Sequence, residues 1–461
     1  MLVIISDLHL KDGTTGTSIT ADAFRVFAER LRSLAYRASW RTDGKYRPIE
    51  TLDLLLLGDV FDHILSTRWL EQEAGEPGYV RPWHDPQQPE FIEKIQAINR
   101  GTLAKNAEAL QVLQRISQGL VITLPPATEK GHPDHNAGER LPVPVRIHQM
   151  VGNHDWFLHL PGAAYDAMRQ EIITAIGLAN PSGPFPHDPG ESDVIMQLFQ
   201  EHHVFGRHGD VFDSMNFNAE AGRDAATVGD ALAVELFNRF PLAVHARLGH
   251  DLPQQFTDGL KELTNVRPAL VTPLWISNLI RNYAHTPELG NEVKKIWDEL
   301  GERFLELDFV RSQDKAFQFD TVDALQGILL FSRALPFETI NKMMTWMTEK
   351  FWGGKYSFAD HALNEQAFKD RWAQYIVYGH THIHEVVPLD STPINARIFD
   401  QTYVNSGTWH SYHDLTLRDP HQHKFIGMHV MTYLAFFKED ERDGRPFESW
   451  SGTLSGHDKP V

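Results

Sequence analysis

Leu52-Asp53-Leu54-Leu55-Leu56-Leu57-Gly58-Asp59-Val60-Phe61-Asp62 is an almost wholly apolar run, broken by a glycine and then by two carboxylates. A run of this length suits a strand buried on both faces. Gly58 lets the chain turn tightly where the acids leave it. The amino terminus has the same plan: residues 2–6 read as a strand that ends at Asp7-Leu8-His9. Between the two, residues 21–37 put Phe24, Phe27, Leu31 and Leu34 on one helical face, with Thr20 available as N-cap. Strand, helix, strand implies a layered α/β core.

Further polar blocks follow apolar runs along the chain. Residues 143–151, interrupted early by Pro144, predict a strand delivering Gly152-Asn153-His154-Asp155. His208-Gly209-Asp210 comes next, and Tyr375-Ile376-Val377-Tyr378 feeds Gly379-His380-Thr381-His382. Residues 396–399, 402–405 and 425–437 predict later strands. Residues 76–90, 125–144 and 181–190, rich in Pro, Gly, Asp and His, read as loops. The segment from about 215 to 370 carries helical patterns at 229–240, 291–300 and 337–351. A cap is expected there, because both its ends lie beside candidate ligands.

Asp, Asn and His supply the oxygen and imidazole ligands that divalent metals take, and strand ends bring such residues to one rim of a sheet. Asp7 and His9, one residue apart, point the same way in an extended backbone and suit a single ion, with Leu8 turned to the core. Asp59 ends the next strand, where a carboxylate can bridge two ions. Asn153 offers a neutral amide oxygen, and His380 and His382 repeat the one-residue spacing. Among His202, His203 and His208 spacing does not choose; the His-Gly-Asp form favours His208. His384 reads as an accessory or exposed residue, and His410, His413, His421 and His423 as a polar surface loop.

Composition narrows the function. With 43 Lys and Arg against 61 Asp and Glu, the formal charge is -18, which disfavours nucleic-acid backbones as partners. Cysteine is absent, so a metal must be held by N and O ligands. No apolar run reaches the length of a membrane span, and no cleavable signal fits ahead of Asp7. A cytoplasmic protein is expected.

Taken in order, these blocks resemble the calcineurin-like metallophosphoesterase superfamily, whose pattern is Asp-x-His, Gly-Asp-x-x-Asp, Gly-Asn-His-Asp or Glu, a later His, then Gly-His-x-His. The resemblance covers roughly residues 1–213 and 371–440. The Gly58-Asp59-Val60-Phe61-Asp62 and His208-Gly209-Asp210 forms are nearest to the branch containing UDP-2,3-diacylglucosamine pyrophosphohydrolase. Tyr403-Val404-Asn405-Ser406-Gly407-Thr408-Trp409 also fits bacterial members of that branch.

The resemblance implies an α/β four-layer sandwich, two central β-sheets flanked by helices; it does not cover most of the large, mainly helical insertion. The core would be residues 1–213 and 371–461, and the insertion or cap residues 214–370. One metal would be held by Asp7, His9 and His382, the other by Asn153, His208 and His380, with Asp59 bridging. Mn2+ is the expected ion, with Fe or Zn as alternatives. His154 would act as a charged donor beside the scissile phosphate, oriented by Asp155, while Asp62 fixes a loop. The implied activity is hydrolysis of a small phosphorylated metabolite, nucleotide or nucleotide-linked pyrophosphate by metal-activated water. A metal-dependent nuclease is the alternative enzyme and needs a basic, aromatic-lined groove. A non-catalytic scaffold is the other, and the complete ligand set argues against it. The apolar stretch with Phe337, Ile340, Met343, Met344, Trp346, Met347, Phe351 and Trp352 reads as cap core or subunit contact ahead of a substrate groove. Arg281, Arg311 and Arg333 read as solvated ion pairs. The number of subunits is left open.

Overall fold

The computed structural model describes residues 1–249, 251–267, 272–284, 286–313, 357–394, 397–416 and 424–454. The chain forms strands β1 (Leu2–Ile5), β2 (Leu52–Leu57), β3 (Thr123–Leu124), β4 (Leu141–Pro142), β5 (Val145–Met150) and β6 (Val204–Gly206). It continues with β7 (Val266–Arg267), β8 (Tyr375–Tyr378), β9 (Glu385–Ile394), β10 (Arg397–Asn405), β11 (Trp409–Leu415), β12 (Phe425–Phe436) and β13 (Phe447–Leu454). The larger sheet runs β5-β2-β1-β12-β11-β7, with β13 on the other edge of β12; the smaller runs β6-β8-β10-β9. Strands β5, β2 and β1 are mutually parallel, as are β6, β8 and β10, so their carboxyl ends share a direction within each sheet.

Strand alternation builds the layers. Leu2, Ile4, Leu55 and Leu57 meet Val204, Val377 and Val404 of the smaller sheet, together with Ile195 and Phe199. Val3, Ile5, Leu54 and Leu56 point the other way. They pack on Phe24, Phe27, Leu31 and Leu34 of α1 (Ala21–Ala38) and on the helices that follow it. Beyond the smaller sheet, Ile376, Tyr378 and Tyr403 cover Phe358, Ala362 and Ala367. The result is the expected α/β sandwich of helices, sheet, sheet and helices. The polar exception within β2, buried Asp53, is satisfied by a bidentate pair with Arg146 of β5 at 2.7 and 3.0 Å.

Some local expectations change. Thr20 stands at the N-cap of α1, but its side chain makes no capping hydrogen bond. Residues 397–399 and 402–405 belong to one strand, β10, whose register shifts between Gln401 and Thr402, so the pairing runs on where two strands were expected; residue 396 lies outside the described residues.

The insertion opens with a helical run, α-helical over Val228–Leu232, π-helical over Ala233–Asn238 and α-helical again over Arg239–Leu248. It has a core of its own, including Phe240, Phe256, Trp275 and Trp297, and adds β7 to the larger sheet beside β11. Buried polar contacts tie it to the rest of the chain. Glu235 accepts from Arg81 at 2.6 Å and from Arg239 at 2.6 Å. Asn238 donates to the carbonyls of Ile64 and Ser66, and buried Lys11 donates to Asn265 at 2.6 Å. Arg281 and Arg311 are exposed. The expected helix at 337–351, its apolar side chains, the neighbouring Trp352, and Arg333, His421 and His423 lie outside the described residues. Among the described residues, no helix is long and apolar enough to cross a membrane.

Candidate metal centre

The polar blocks meet where the parallel strands end. After β1 and β2 the two loops continue side by side: Asp7 N–H donates to Gly58 O, Leu8 and His9 N–H to Asp59 O, and Leu10 N–H to Val60 O, at 2.9–3.1 Å. Asp7 (φ 55°), His9 (φ 46°), Asp59 (φ 51°), His380 (φ 65°) and His382 (φ 62°) all adopt left-handed backbone. The extended geometry expected for the Asp7/His9 and His380/His382 pairs is therefore replaced by tight turns. Each such residue costs of order 1–3 kcal/mol, a strain that clusters where side chains must be aimed. Asp and His tolerate this region better than most residues.

Among the described residues, three overlapping groups have donor atoms within 4.8 Å of one another: Asp7, His9 and His382; His9, Asp59 and His154; and Asp59, His208 and His380. His9 Nε2 and His382 Nε2 stand 3.1 Å apart, and Asp7 Oδ1 lies 3.3 Å from His382 Nε2. Asp59 Oδ2 lies 3.7 Å from His9 Nε2 and 3.2 Å from His208 Nε2. Asn153 joins through Oδ1, 3.0 Å from His380 Nδ1. All seven expected ligand residues and His154 are thus assembled: Asp7, His9, Asp59, Asn153 and His208 are buried, and His154, His380 and His382 are partly buried.

The outward ring nitrogens are tied to oxygens that can only accept. His9 Nδ1 donates to Asp62 Oδ2 at 3.0 Å, His208 Nδ1 to Leu57 O at 3.0 Å, and His380 Nε2 to Asp213 Oδ2 at 3.0 Å. Once deprotonated, as binding of a cation requires, an imidazole held in this way presents a lone pair on its inner nitrogen, the arrangement a divalent cation needs. Facing lone pairs, carboxylates, one amide oxygen and no thiol make a donor set suited to divalent cations. The residues present fit a pair of divalent ions.

The glycines serve this packing in two ways. Gly58 has φ +86°, and a Cβ there would also stand 2.5 Å from His208 Nδ1. Gly152 and Gly379 are not left-handed, and what they supply is space. A Cβ on Gly152 would meet Asp59 Oδ1 and the His208 ring, and one on Gly379 would meet Asp7 Oδ2 at 2.7 Å.

Asp155 does not orient His154. Its carboxylate accepts from the backbone N–H groups of Gly152 (2.7 Å) and Val60 (2.9 Å), bracing the two turns against each other. His154 Nδ1 instead donates to Asp62 Oδ1 at 2.9 Å, so Asp62 holds His9 and His154 together. Burial works against the charged form of His154, but the Asp62 and Asp59 carboxylates outweigh it and push its pKa up to about 9. Burial and the nearby charge of His154 depress His9 despite its bond to Asp62. Burial and the neighbouring Asp59 charge push Asp155 up to about 7. Burial also opposes ionisation of Asp59, yet His208 and His154 hold it well below the usual carboxylate range.

The other histidines separate clearly. His202 bonds Leu198 O from its helix, and His203 is exposed at that helix's end. His384 bonds Asn405 O and Ser449. His410, expected on a surface loop, is buried with its ring 5.4 Å from His9, because β11 carries it under the site; His413 packs on Trp275. Supporting residues that the motifs did not mark are Asp213, Asn216, Ser6, Ser406, Asn405 and Thr408. Thr408 Oγ1 donates to Asp7 O, and Asn405 Nδ2 to Gly379 O. The stretch 403–409 pointed to the last three by position alone.

No protein-family model matches the chain, and no curated protein matches it. The three clusters themselves resemble a dinuclear metal-binding motif and are consistent with a metallophosphoesterase-like superfamily in general, and with a metal-dependent hydrolytic site.

Proposed function

We propose that the chain is a dinuclear metal-dependent phosphoesterase acting on a small phosphorylated metabolite, nucleotide or nucleotide-linked pyrophosphate. The observation that supports this reading is the position of Asp59, one of whose oxygens adjoins both His9 and His208. A single carboxylate shared by two imidazole groups is the feature a bridged ion pair needs. In this reading Asp7, His9 and His382 hold one cation, Asn153, His208 and His380 the other, and Asp59 both, with Mn2+ preferred over Fe or Zn. When bound, such ions make water a nucleophile at neutral pH and neutralise charge on a phosphoryl group.

The protein's own groups do the rest. Asp62 holds Nδ1 of a protonated His154, which leaves Nε2 to stabilise the phosphoryl charge or protonate the leaving oxygen. Asp155 keeps the Asp59 and Asn153 turns in register. Residues 1–213 and 371–461 serve as the hydrolase core, and residues 214–370 govern which leaving groups reach it. The forms of the Gly58–Asp62 and His208–Asp210 blocks favour a nucleotide-linked pyrophosphate, and the charge of -18 disfavours nucleic acid.

The test is an assay of metal-stripped protein after addition of Mn2+. The panel is a phosphomonoester, a phosphodiester, a nucleoside diphosphate-linked compound and single- and double-stranded DNA, with His154→Ala as control. Metal-restored hydrolysis of a small substrate, lost in His154→Ala, is expected. DNA cleavage alone would favour the nuclease, and protein that binds no metal and turns nothing over would favour the scaffold.

A further inference from the structure

Resting on the dinuclear reading, we propose that Asp213 and Asn216, just where the chain leaves the core for the insertion, are positioning residues for the second cation. They set which nitrogen of His380 and which amide atom of Asn153 face it. The argument begins from a carboxylate, which when ionised can only accept hydrogen bonds. Asp213 Oδ2 receives His380 Nε2 at 3.0 Å and Asn216 Nδ2 at 2.9 Å, while its other oxygen receives the N–H of Met215 at 2.9 Å. Because Nδ2 of Asn216 is committed to Asp213, its Oδ1 faces the other way and accepts from Asn153 Nδ2 at 3.3 Å. That in turn leaves Asn153 Oδ1 as the atom opposite His380 Nδ1, at 3.0 Å.

A polarity set at one carboxylate thus passes along two branches that meet again. The first branch puts the proton of a neutral His380 on Nε2 and a lone pair on Nδ1. The second turns the Asn153 amide so that oxygen, and not nitrogen, is presented. Two acceptors that face each other at 3.0 Å are unfavourable alone and favourable around a cation. Each half would be ambiguous without the other, since an amide can flip and an imidazole can change tautomer.

The local fold keeps the relay in place. Asp213 and Asn216 are joined by a backbone bond, Asn216 N–H to Asp213 O at 2.9 Å. Gly229, at the start of the helical run, donates its N–H to Met215 O at 2.8 Å. A side chain on Gly229 would collide with Asn216 Oδ1 and Met215 O. Arg223 Nη1 caps Asn216 O at 3.3 Å and pairs with Asp210, two residues from His208. The insertion therefore starts as a brace for one of the two ion positions.

The experiment is calorimetric titration of Mn2+ into metal-stripped wild type, Asp213→Ala and Asn216→Ala. It is paired with the electron paramagnetic resonance signature of coupled Mn2+ ions and the thermal midpoint of each metal-free protein. Wild type is expected to take two ions. Each variant is expected to keep the first at unchanged affinity and to bind the second about tenfold or more weaker, as loss of a supporting hydrogen bond does elsewhere. The coupled signal should fade while the metal-free midpoint holds. A general loosening of the fold would weaken both ions together and lower the midpoint, which would overturn the proposal; so would two ions bound by both variants with wild-type affinities. Wild type that binds no Mn2+ would refute the metal reading beneath it instead, and the two failures are told apart by the wild-type titration alone.

Discussion

Gly152→Ala is the smallest change that should dismantle the centre. Gly152 lies outside the left-handed region, so alanine is allowed by the backbone and the whole effect is steric. The new methyl would stand 2.6 Å from His208 Cδ2 and 2.7 Å from Nε2, and closer still to Asp59 Oδ1, where ordinary contact starts at 3.4 Å. Both neighbours are fully buried and cannot swing into solvent. His208 must move by roughly 0.8 Å and Asp59 by more, several times the ~0.2 Å that metal–ligand distances tolerate. Overpacking of this kind costs about 1–3 kcal/mol of stability. Displacing two donors should cost more in binding than the 10–100-fold typical of a lost supporting bond, so a fall of at least about 100-fold in Mn2+ affinity is expected. Titration calorimetry with elemental analysis measures it, and circular dichroism checks the fold. Gly138→Ala is the control, since nothing lies within 4 Å of a Cβ there. A Gly152→Ala protein that binds two ions within threefold of the wild-type affinity would refute the steric reasoning.

Two further outcomes follow from ion pairs outside the three clusters. Glu235→Gln should destabilise the protein by about 3 kcal/mol in urea unfolding, because it leaves buried Arg81 and Arg239 without their shared counter-charge; a loss under about 1 kcal/mol would mean the backbone carbonyls around Arg81 suffice. His159, between Asp224 and Glu191, has its pKa pushed up to about 9, since those carboxylates outweigh its burial. Its stabilisation is therefore fully present below the ordinary value of 6.5 and lost as pH rises through 9. Its partners are nearly half exposed, so solvent screening limits the effect to about 1 kcal/mol. The stability difference between wild type and His159→Asn should shrink from pH 6.5 to pH 9, and a flat difference would remove the ion pair from the account.

The sequence by itself determined the strands that end in polar blocks and the chemistry those blocks offer. Leu52–Leu57 and Leu2–Ile5 are too apolar to lie anywhere but between two covered layers, and glycine followed by Asp or Asn marks where β2 and β5 give way to their loops. Residue type likewise announced oxygen and imidazole donors, because no other side chains in those blocks can hold a hard or borderline cation. What only the tertiary structure decided is which of these groups touch. Asp62 and Asp155 stand in similar motif positions, yet the turn after β2 aims Asp62 at both His9 and His154 and buries Asp155 among backbone N–H groups. His410 looked like part of a polar loop until β11 carried it beneath His9. Asp213 and Asn216 carry no pattern at all, being ordinary turn residues until the chain folds back and sets them against His380 and Asn153. The physical reason is range. Burial and turn chemistry act on neighbours along the chain, whereas a hydrogen bond between residues 167 positions apart exists only once both sheets are in place.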